Sequence, residues 1–362
     1  MKREYVGIDL HRRRSVIYRM DATGTKLDCV RIDNEPWRLA EEVSKAGPGA
    51  KAVVEATYGW YWAVDLLREL GVEVHLAHPQ GNDWGKRRVK NDERDARDLA
   101  DLLRLGRLAE AWIAPPEVRE LREMVRFRAK LSNLRTGLKA QAHAVMAKNG
   151  VIPCRGDMWG VGGAAQFDAL QLPDAYEHRL GVLRDLIAVY DREIAVLDRD
   201  IHIALRHDPG YQAVQAIYGV GRVFAAVFVA EIGDVSRFGS AEALCSWAGL
   251  TPLHRESDTK VTRGRITKQG SKLVRWAALE AVARYHGGDH LAASFRDIAE
   301  RRGTKKAQVA VARTVLTLVY YGPARRRDPL LTQPGGGMNA RNATGCELDY
   351  RQASHPRGWR SG

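Results

Sequence analysis

Apolar residues in the first part of the chain fall in short runs whose period switches between two and three-to-four positions. Runs at 4–9 (EYVGID), 15–19, 26–32, 51–56 and 72–77 have the length and β-branched content of strands. The first two turn back on each other around residues 11–14 and read as a hairpin. Segments 37–45, 60–70 and 93–105 instead carry apolar residues at helical spacing. A hairpin-led sheet followed by strand–helix alternation predicts an α/β domain over residues 1–108.

Pro115 and Pro116 mark a break and a helix start, and the period stays helical from there. Met124, Phe127, Leu131, Leu134 and Leu138 recur at alternating three- and four-residue steps, as do Leu183, Ile187, Tyr190, Ile194, Leu197 and Ile201. That is heptad spacing, and it predicts a helical, coiled-coil middle region over 109–205, formed as an antiparallel pair or as a dimeric coiled coil. The Gly-rich segment 149–167 between the two series reads as a loop. A third, mostly α region over 206–322 follows Asp208-Pro209-Gly210. Within it, 216–226 (AIYGVGRVFAA) reads as a helix-hairpin-helix-like element, two short helices around a G-x-G turn. A polar stretch from His254 leads into an apolar helix, and 308–319 is a last buried helix. Pro, Gly, Asn and Arg then dominate, so 323–362 is expected to be a disordered basic tail.

Charge changes the picture more than composition does. Lys and Arg number 57 against 44 Asp and Glu, a net charge of +13, which points to a polyanionic partner and most simply to nucleic acid. A merely basic enzyme is the plainer alternative. Cys29, Cys154, Cys245 and Cys346 lack any C-x-x-C spacing, so neither zinc nor a disulfide framework is expected, and a reducing cytoplasm is. No apolar run approaches the length needed to span a bilayer.

Four carboxylates carry the candidate chemistry. Asp9 and Glu55 close apolar strands, and Asp92 and Asp95 stand three residues apart at the start of a helical pattern, on one face. Strand-end acids collect where ligands of such sheets bind. Clustered carboxylates repel one another, and a hard divalent cation relieves that repulsion, so the quartet fits a two-metal phosphoryl-transfer site. Each acid has a plainer role: Asp9 and Glu55 as turn residues, Asp92 and Asp95 as favourable charges at a helix N-terminus. Asp98 and Asp101 continue the series, which leaves Asp95 and Asp98 as alternatives for the fourth ligand. Lys86, Arg87, Arg88 and Lys90 just before the pair would draw a phosphate backbone in, or form a solvated loop. Gly219 and Gly221 would let backbone N–H groups approach a phosphate. Arg263, Arg265, Lys268 and Lys272 belong to a second basic run, also a candidate for nucleic-acid contact.

A G-I-D closing a first strand recurs in the ribonuclease H-like superfold. The set YVGIDLH, VVEATYGW and KNDERDAR resembles the DEDD, junction-resolvase-like domain of the IS-one-ten type insertion-sequence transposases, the bridge-RNA-guided recombinases. IYGVG, WAGLTPLHRES and GRITKQGSKLVRWAALEA resemble the C-terminal transposase domain of the same family, so the likeness runs in order over residues 3–321. The resemblance implies an α/β ribonuclease H-like N-terminal domain whose Asp9, Glu55, Asp92 and Asp95 hold Mg²⁺. It also implies that Ser257 is a nucleophile forming a covalent link to DNA, a role nothing else about a serine in a polar loop suggests. DNA, a structured guide RNA and a second or further copies of the chain, as homodimer or homotetramer, are the implied partners. The serine and the acids would come from different domains. Two positions depart from the family pattern: Asn91 stands where Thr is usual, and Asp258 follows Ser257 where Gly is common. Two other functions remain open on the residues: a Mg²⁺-dependent, structure-specific endonuclease with water attacking, and a catalytically silent nucleic-acid-binding protein. A kinase of the same superfold would need a second Gly-rich phosphate loop, which the sequence lacks.

Overall fold

Strands and helices alternate through the N-terminal part of the chain in the order the apolar periods predict. The structure, a computed structural model, describes residues 3–57, 59–79, 81–82, 91–153, 158–258, 260–284 and 290–325. Two units make up the chain, Met1–Pro115 and Pro116–Gly362.

In the first unit β1 (Tyr5–Leu10), β2 (Arg14–Met20) and β3 (Lys26–Asp33) form an antiparallel meander. β4 (Lys51–Glu55) and β5 (Glu73–Ala77) add to it in parallel, giving the order β3-β2-β1-β4-β5. α1 (Pro36–Ser44) and α2 (Trp60–Glu69) make the crossovers, and α3 (Asp92–Arg104) packs on β1 and β2. The two-residue strand period sorts β1 cleanly. Val6, Ile8 and Leu10 enter a core with Leu39 and Val43 of α1 and Val64 and Leu67 of α2. The alternate residues, Gly7 and Asp9 among them, face the side where Ala96 and Ala100 of α3 pack with Val16, Tyr18 and Met20. Gly7 is what permits that packing: a Cβ there would stand 1.9 Å from the Ala96 carbonyl oxygen and 2.8 Å from the Ala100 nitrogen. Only a residue without a side chain lets α3 lie this close to β1.

The second unit is mostly helical: α4 (Pro116–Lys148), α5 (Val161–Asp168), α6 (Asp174–Leu205), α7 (Pro209–Gln215), α8 (Arg222–Ile232) and α9 (Ala241–Trp247), then α10 (Lys272–Val282), α11 (His290–Arg302) and α12 (Thr304–Arg325). Arg128 meets Asp198 at 2.9 Å, Arg135 meets Asp191, and Arg179 reaches Gln141 at 3.4 Å. One index falls as the other rises, so the two heptad segments, carried by α4 and α6, run antiparallel within one chain. Phe127 and Leu134 of the α4 series nevertheless face solvent. The α4–α6 pair shares a core with the later helices, since Val125, Ile201 and Leu205 cluster with Phe228, Leu244, Val274 and Leu316. Glu231 at the end of α8 is buried there, with Arg126 on both its oxygens at 2.6 and 3.1 Å and the Ser271 hydroxyl donating at 3.0 Å. So complete a set of partners compensates the cost of burying its charge.

Three expectations change. The supposed loop 149–167 contains α5 from Val161, whose apolar Phe167 joins a small core with Met146 and Leu183. The polar stretch after Leu253 is part of a two-stranded antiparallel hairpin, β6 (Pro252–Ser257) and β7 (Lys260–Ile266). Its strands are polar and solvent-facing, so no alternation of apolar residues announced it. The chain also stays helical through Arg325, past the expected start of the tail at 323; residues 326–362 lie outside the described residues. Among the described residues no helix is long and apolar enough to cross a membrane.

Candidate functional site

Strand register sets the first two carboxylates beside each other. Ile8 of β1 pairs with Val54 of β4 in a parallel ladder, so Asp9 and Glu55 follow at the carboxyl ends of adjacent strands. Asp9 shares a strand face with Gly7, and Glu55 shares one with Val53, which packs against Leu99 and Leu103 of α3. Both acids therefore lie on the α3 side of the sheet. Along α3 the buried stripe is Ala96, Leu99, Ala100 and Leu103. Stepped back one turn, the same stripe reaches Asp92 and Asp95 at the helix N-terminus. The Asn91 side chain caps that helix by accepting from the Glu93 N–H at 3.1 Å, a role Thr fills as well, so the departure from Thr leaves both acids in register.

Asp9 is 4% exposed, and its Oδ2 is buried without a hydrogen-bond partner among the described residues. His11 Nε2 lies 3.1 Å from that oxygen, outside hydrogen-bond geometry, and 3.7 Å from Asp92 Oδ1. Arg31 of β3 reaches the other Asp92 oxygen at 3.3 Å. Burial pushes the Asp9 carboxyl up to about 6; His11 opposes the rise, and the charges of Asp95, Asp92 and Glu55 add to it. The other three acids of the quartet thus all act on Asp9. Asp98 pairs with Arg97 at 3.2 Å, whereas Asp95 is among the charges that raise Asp9.

The contrast with Glu231 is what marks this place. That buried carboxylate has every oxygen matched, whereas Asp9 keeps a buried oxygen without a hydrogen-bond partner among the described residues. Asp9, His11 and Asp92 offer ligand atoms within 4.8 Å of one another, so the residues fit a divalent cation. Asp95 and Glu55 are not in that group of three, though their charges act on Asp9. His11 and Arg31 were not candidates on the sequence. His11 had a signal, since it follows Asp9 by two and the strand period puts both on one face; Arg31 had none.

In the second unit Ser257 ends β6, pairs with Lys260 across the hairpin and is solvent-exposed. Asp258 takes φ +52° at the turn. That left-handed conformation is the reason Gly is common there, and Asp is among the few other residues that tolerate it. Glycines also hold the base of the hairpin. A Cβ on Gly249 would meet the Gln269 oxygen at 2.3 Å, and one on Gly270 would meet the Trp247 oxygen at 1.8 Å. Arg275 donates to Ala248 and Gln269 carbonyls at 2.9 and 3.1 Å across the same junction. Gly219, at φ +78°, and Gly221 lie in the turn between α7 and α8, with Gly221 as the α8 N-cap. Arg265, Lys268 and Lys272 are exposed. Lys86, Arg87, Arg88, Lys90 and the Arg263 side chain lie outside the described residues.

Residues 6–149 match a family model described as a transposase, the DEDD type of IS110, and residues 211–286 match one described as the IS116/IS110/IS902 transposase family. Together they cover more than half of the chain. The chain belongs to this transposase family. It is 29% identical over 227 residues to a probable family 20 transposase of Pseudomonas aeruginosa, covering 59% of this chain and 64% of that protein. It is 30% identical over 234 residues to the putative transposase y4qE of Sinorhizobium fredii, covering 63% and 56%. Over 144 residues it is 31% identical to a pilin gene-inverting protein of Moraxella lacunata, covering 38% and 45%. The match thus spans somewhat less than two thirds of the length of the first two relatives.

The packing of α3 on the β1 backbone depends on Gly7. Gly7→Ala is expected to push α3 outward, carrying Asp92 and Asp95 with it, and, under the function proposed below, to lower metal-dependent DNA cleavage by about 10²-fold, the cost of roughly 1 Å of misplacement. Cleavage assays with a circular-dichroism check of folding test this; full activity in the variant would remove Gly7 from the account.

Proposed function

We propose that this protein is a Mg²⁺-dependent DNA transposase that cuts and rejoins DNA through a covalent Ser257 intermediate, guided by a structured RNA. The observation that carries the reading is that the charges of Glu55, Asp92 and Asp95 act on the buried Asp9 carboxyl, one oxygen of which has no hydrogen-bond partner among the described residues. The oxygen-rich donor set favours Mg²⁺ or Mn²⁺ over softer metals. When bound, the ion would supply Lewis-acid stabilisation of charge on the phosphoryl oxygens and ease ionisation of the attacking hydroxyl. The chain's own residues do the rest. The acids and His11 would hold the ion, Arg31 pairs with Asp92, and Ser257 presents its hydroxyl at an exposed hairpin end. Ser257 Oγ forms a bond to phosphorus as the bond to the leaving deoxyribose oxygen breaks; the serine proton passes to solvent and the leaving oxygen takes one up, departing as a hydroxyl. The phosphodiester energy is kept in the seryl ester, so the reverse attack rejoins DNA without a further energy source.

Rejoining is favoured over hydrolysis by the relative named for gene inversion, because inversion requires sealed ends. The net charge of +13 and the exposed Arg265, Lys268 and Lys272 suit DNA and guide RNA in the cytoplasm. The test is denaturing electrophoresis of labelled element-end DNA with protein, guide and Mg²⁺. A denaturation-resistant complex whose linkage maps to residue 257 is expected; hydrolysed ends with no adduct would favour the endonuclease, and no cleavage at all the silent binding protein.

The chain is also proposed to act as a dimer. Beyond the face of α6 turned to α4, Val182, Leu186, Val189, Val196 and Ile203 lie exposed at steps of four, three, seven and seven residues. A second heptad stripe is the pattern that pairs with a copy of itself. Light scattering should give twice the chain mass, and Val189→Glu with Val196→Glu should halve it without loss of helix; an unchanged mass would sink the pairing.

A further inference from the structure

A cavity of about 350 Å³ opens in the second unit among α4, α6, α7, α8 and α10. None of the residues that give it character takes part in the chemistry above. Three guanidinium groups, Arg128, Arg199 and Arg222, line it against a single carboxylate, Asp198. Arg128 is committed to that carboxylate at 2.9 and 3.1 Å, and Arg199 pairs with Asp200 at 3.3 Å. Arg222 has no acidic partner among the described residues and stands exposed at the first position of α8. No side chain caps that helix, because its N-cap is Gly221. The cavity therefore has a positive mouth suited to a phosphate.

Its walls suit a planar ring. Trp276 is 39% exposed at the cavity, with Phe224 edge-to-face against it at 5.3 Å. Tyr211 and His202 meet as tilted rings at 6.3 Å on another side. His202 Nδ1 is buried and lacks a hydrogen-bond partner among the described residues. A buried ring nitrogen left without a partner is free to hydrogen-bond a ligand that enters the cavity. Burial raises the Tyr211 phenol, with Arg222 opposing and Asp198 adding to the rise, so the hydroxyl stays a donor at neutral pH. Aromatic surface, hydrogen-bonding atoms and a cationic rim together describe a nucleotide. The volume lies near the lower end of the range for small-ligand sites, roughly 300–1,000 Å³, which admits a base with its sugar and excludes a duplex.

We propose that this cavity holds one unpaired nucleotide of a bound strand, its base against Trp276 and His202 and its phosphate at Arg222 and the start of α8. The site rests on the nucleic-acid reading of the protein and deepens it. The Gly219–Gly221 turn lies immediately before Arg222, so a backbone contacting that turn passes the mouth. A duplex interior offers no such residue; a single-stranded stretch of DNA or a loop of RNA does.

The test compares three strands of equal length on the full chain: twelve-residue oligothymidylate, oligouridylate and an abasic backbone with the same phosphates. Wild type is expected to bind a base-bearing strand about tenfold more tightly than the abasic one, the size of a single base–aromatic contact. The preferred strand, thymidylate or uridylate, tells DNA from RNA as the source. Trp276→Ala and Arg222→Ala should each remove most of that difference, with melting temperatures confirming that both fold. With 5-iodouracil in the strand, irradiation should form adducts at Trp276, Tyr211 or His202. Base-independent binding, or adducts confined to other residues, would overturn the site while leaving nucleic-acid binding intact. Failure to bind any strand would overturn both.

Discussion

Asp9→Asn is expected to abolish DNA cleavage and, at the same time, to make the metal-free protein more stable. The Asp9 carboxyl is 4% exposed and is pushed up from an ordinary 3.8 to about 6, first by burial and then by Asp95, Asp92 and Glu55, with His11 opposing. A carboxyl that titrates higher in the folded than in the unfolded chain favours folding in its protonated form. In the absence of metal, stability is therefore lost as pH rises from about 4 to about 6, and the whole penalty is present above that. Asparagine keeps the shape and removes the charge. Allowing for screening by solvent, the gain at pH 7.5 should be about 1–2 kcal/mol. A divalent ion reverses the balance, because it stabilises the ionised carboxylate. Melting curves in chelator and in Mg²⁺, from pH 5 to 8, should show wild type gaining more from the metal than the variant. Cleavage should fall on the order of 10³-fold or more, as when one preorganised stabilising group is removed from an active site. A variant that is less stable in chelator, or that cleaves normally, would break the assignment of Asp9.

Ser257→Ala should be equally severe in activity and silent in stability. The side chain is exposed at the end of β6, and the hairpin is held by its register and by the Gly249–Gly270 junction rather than by this hydroxyl. Folding, strand binding and metal binding are therefore expected to persist. The covalent complex should vanish, and strand transfer should drop by about 10³–10⁶-fold, the range for losing a nucleophile. The outcome separates the alternatives. Normal cleavage in the variant would mean that water attacks and that the protein is a nuclease of the same metal site. Asp258 does not argue against activity: at φ +52° it occupies the turn conformation that Gly would, with a tolerated side chain.

Much of this site was legible before any fold was known, because the signals are local. Asp9 and Glu55 close apolar runs, and a strand's period of two says which neighbours share a face. Asp92 and Asp95 open a helix whose stripe continues into Ala96, Leu99, Ala100 and Leu103. The hairpin β6–β7 was not legible, since exposed polar strands carry no apolar alternation. Nor were Arg31 and the lining of the nucleotide cavity, which come from elements far apart in the chain.

By itself, then, the sequence determined the order of strands and helices in the first unit, the acids as candidates, and the family that the motifs in both halves resemble; each follows from spacing within a few residues. Only the tertiary structure brought His11 and Asp92 to Asp9, joined the heptad segments within one chain, and showed why position 7 is glycine. Those depend on which backbones approach which, and a close approach such as that of α3 to β1 is set by residues some ninety positions apart. Local periodicity carries no record of such distances, and packing does.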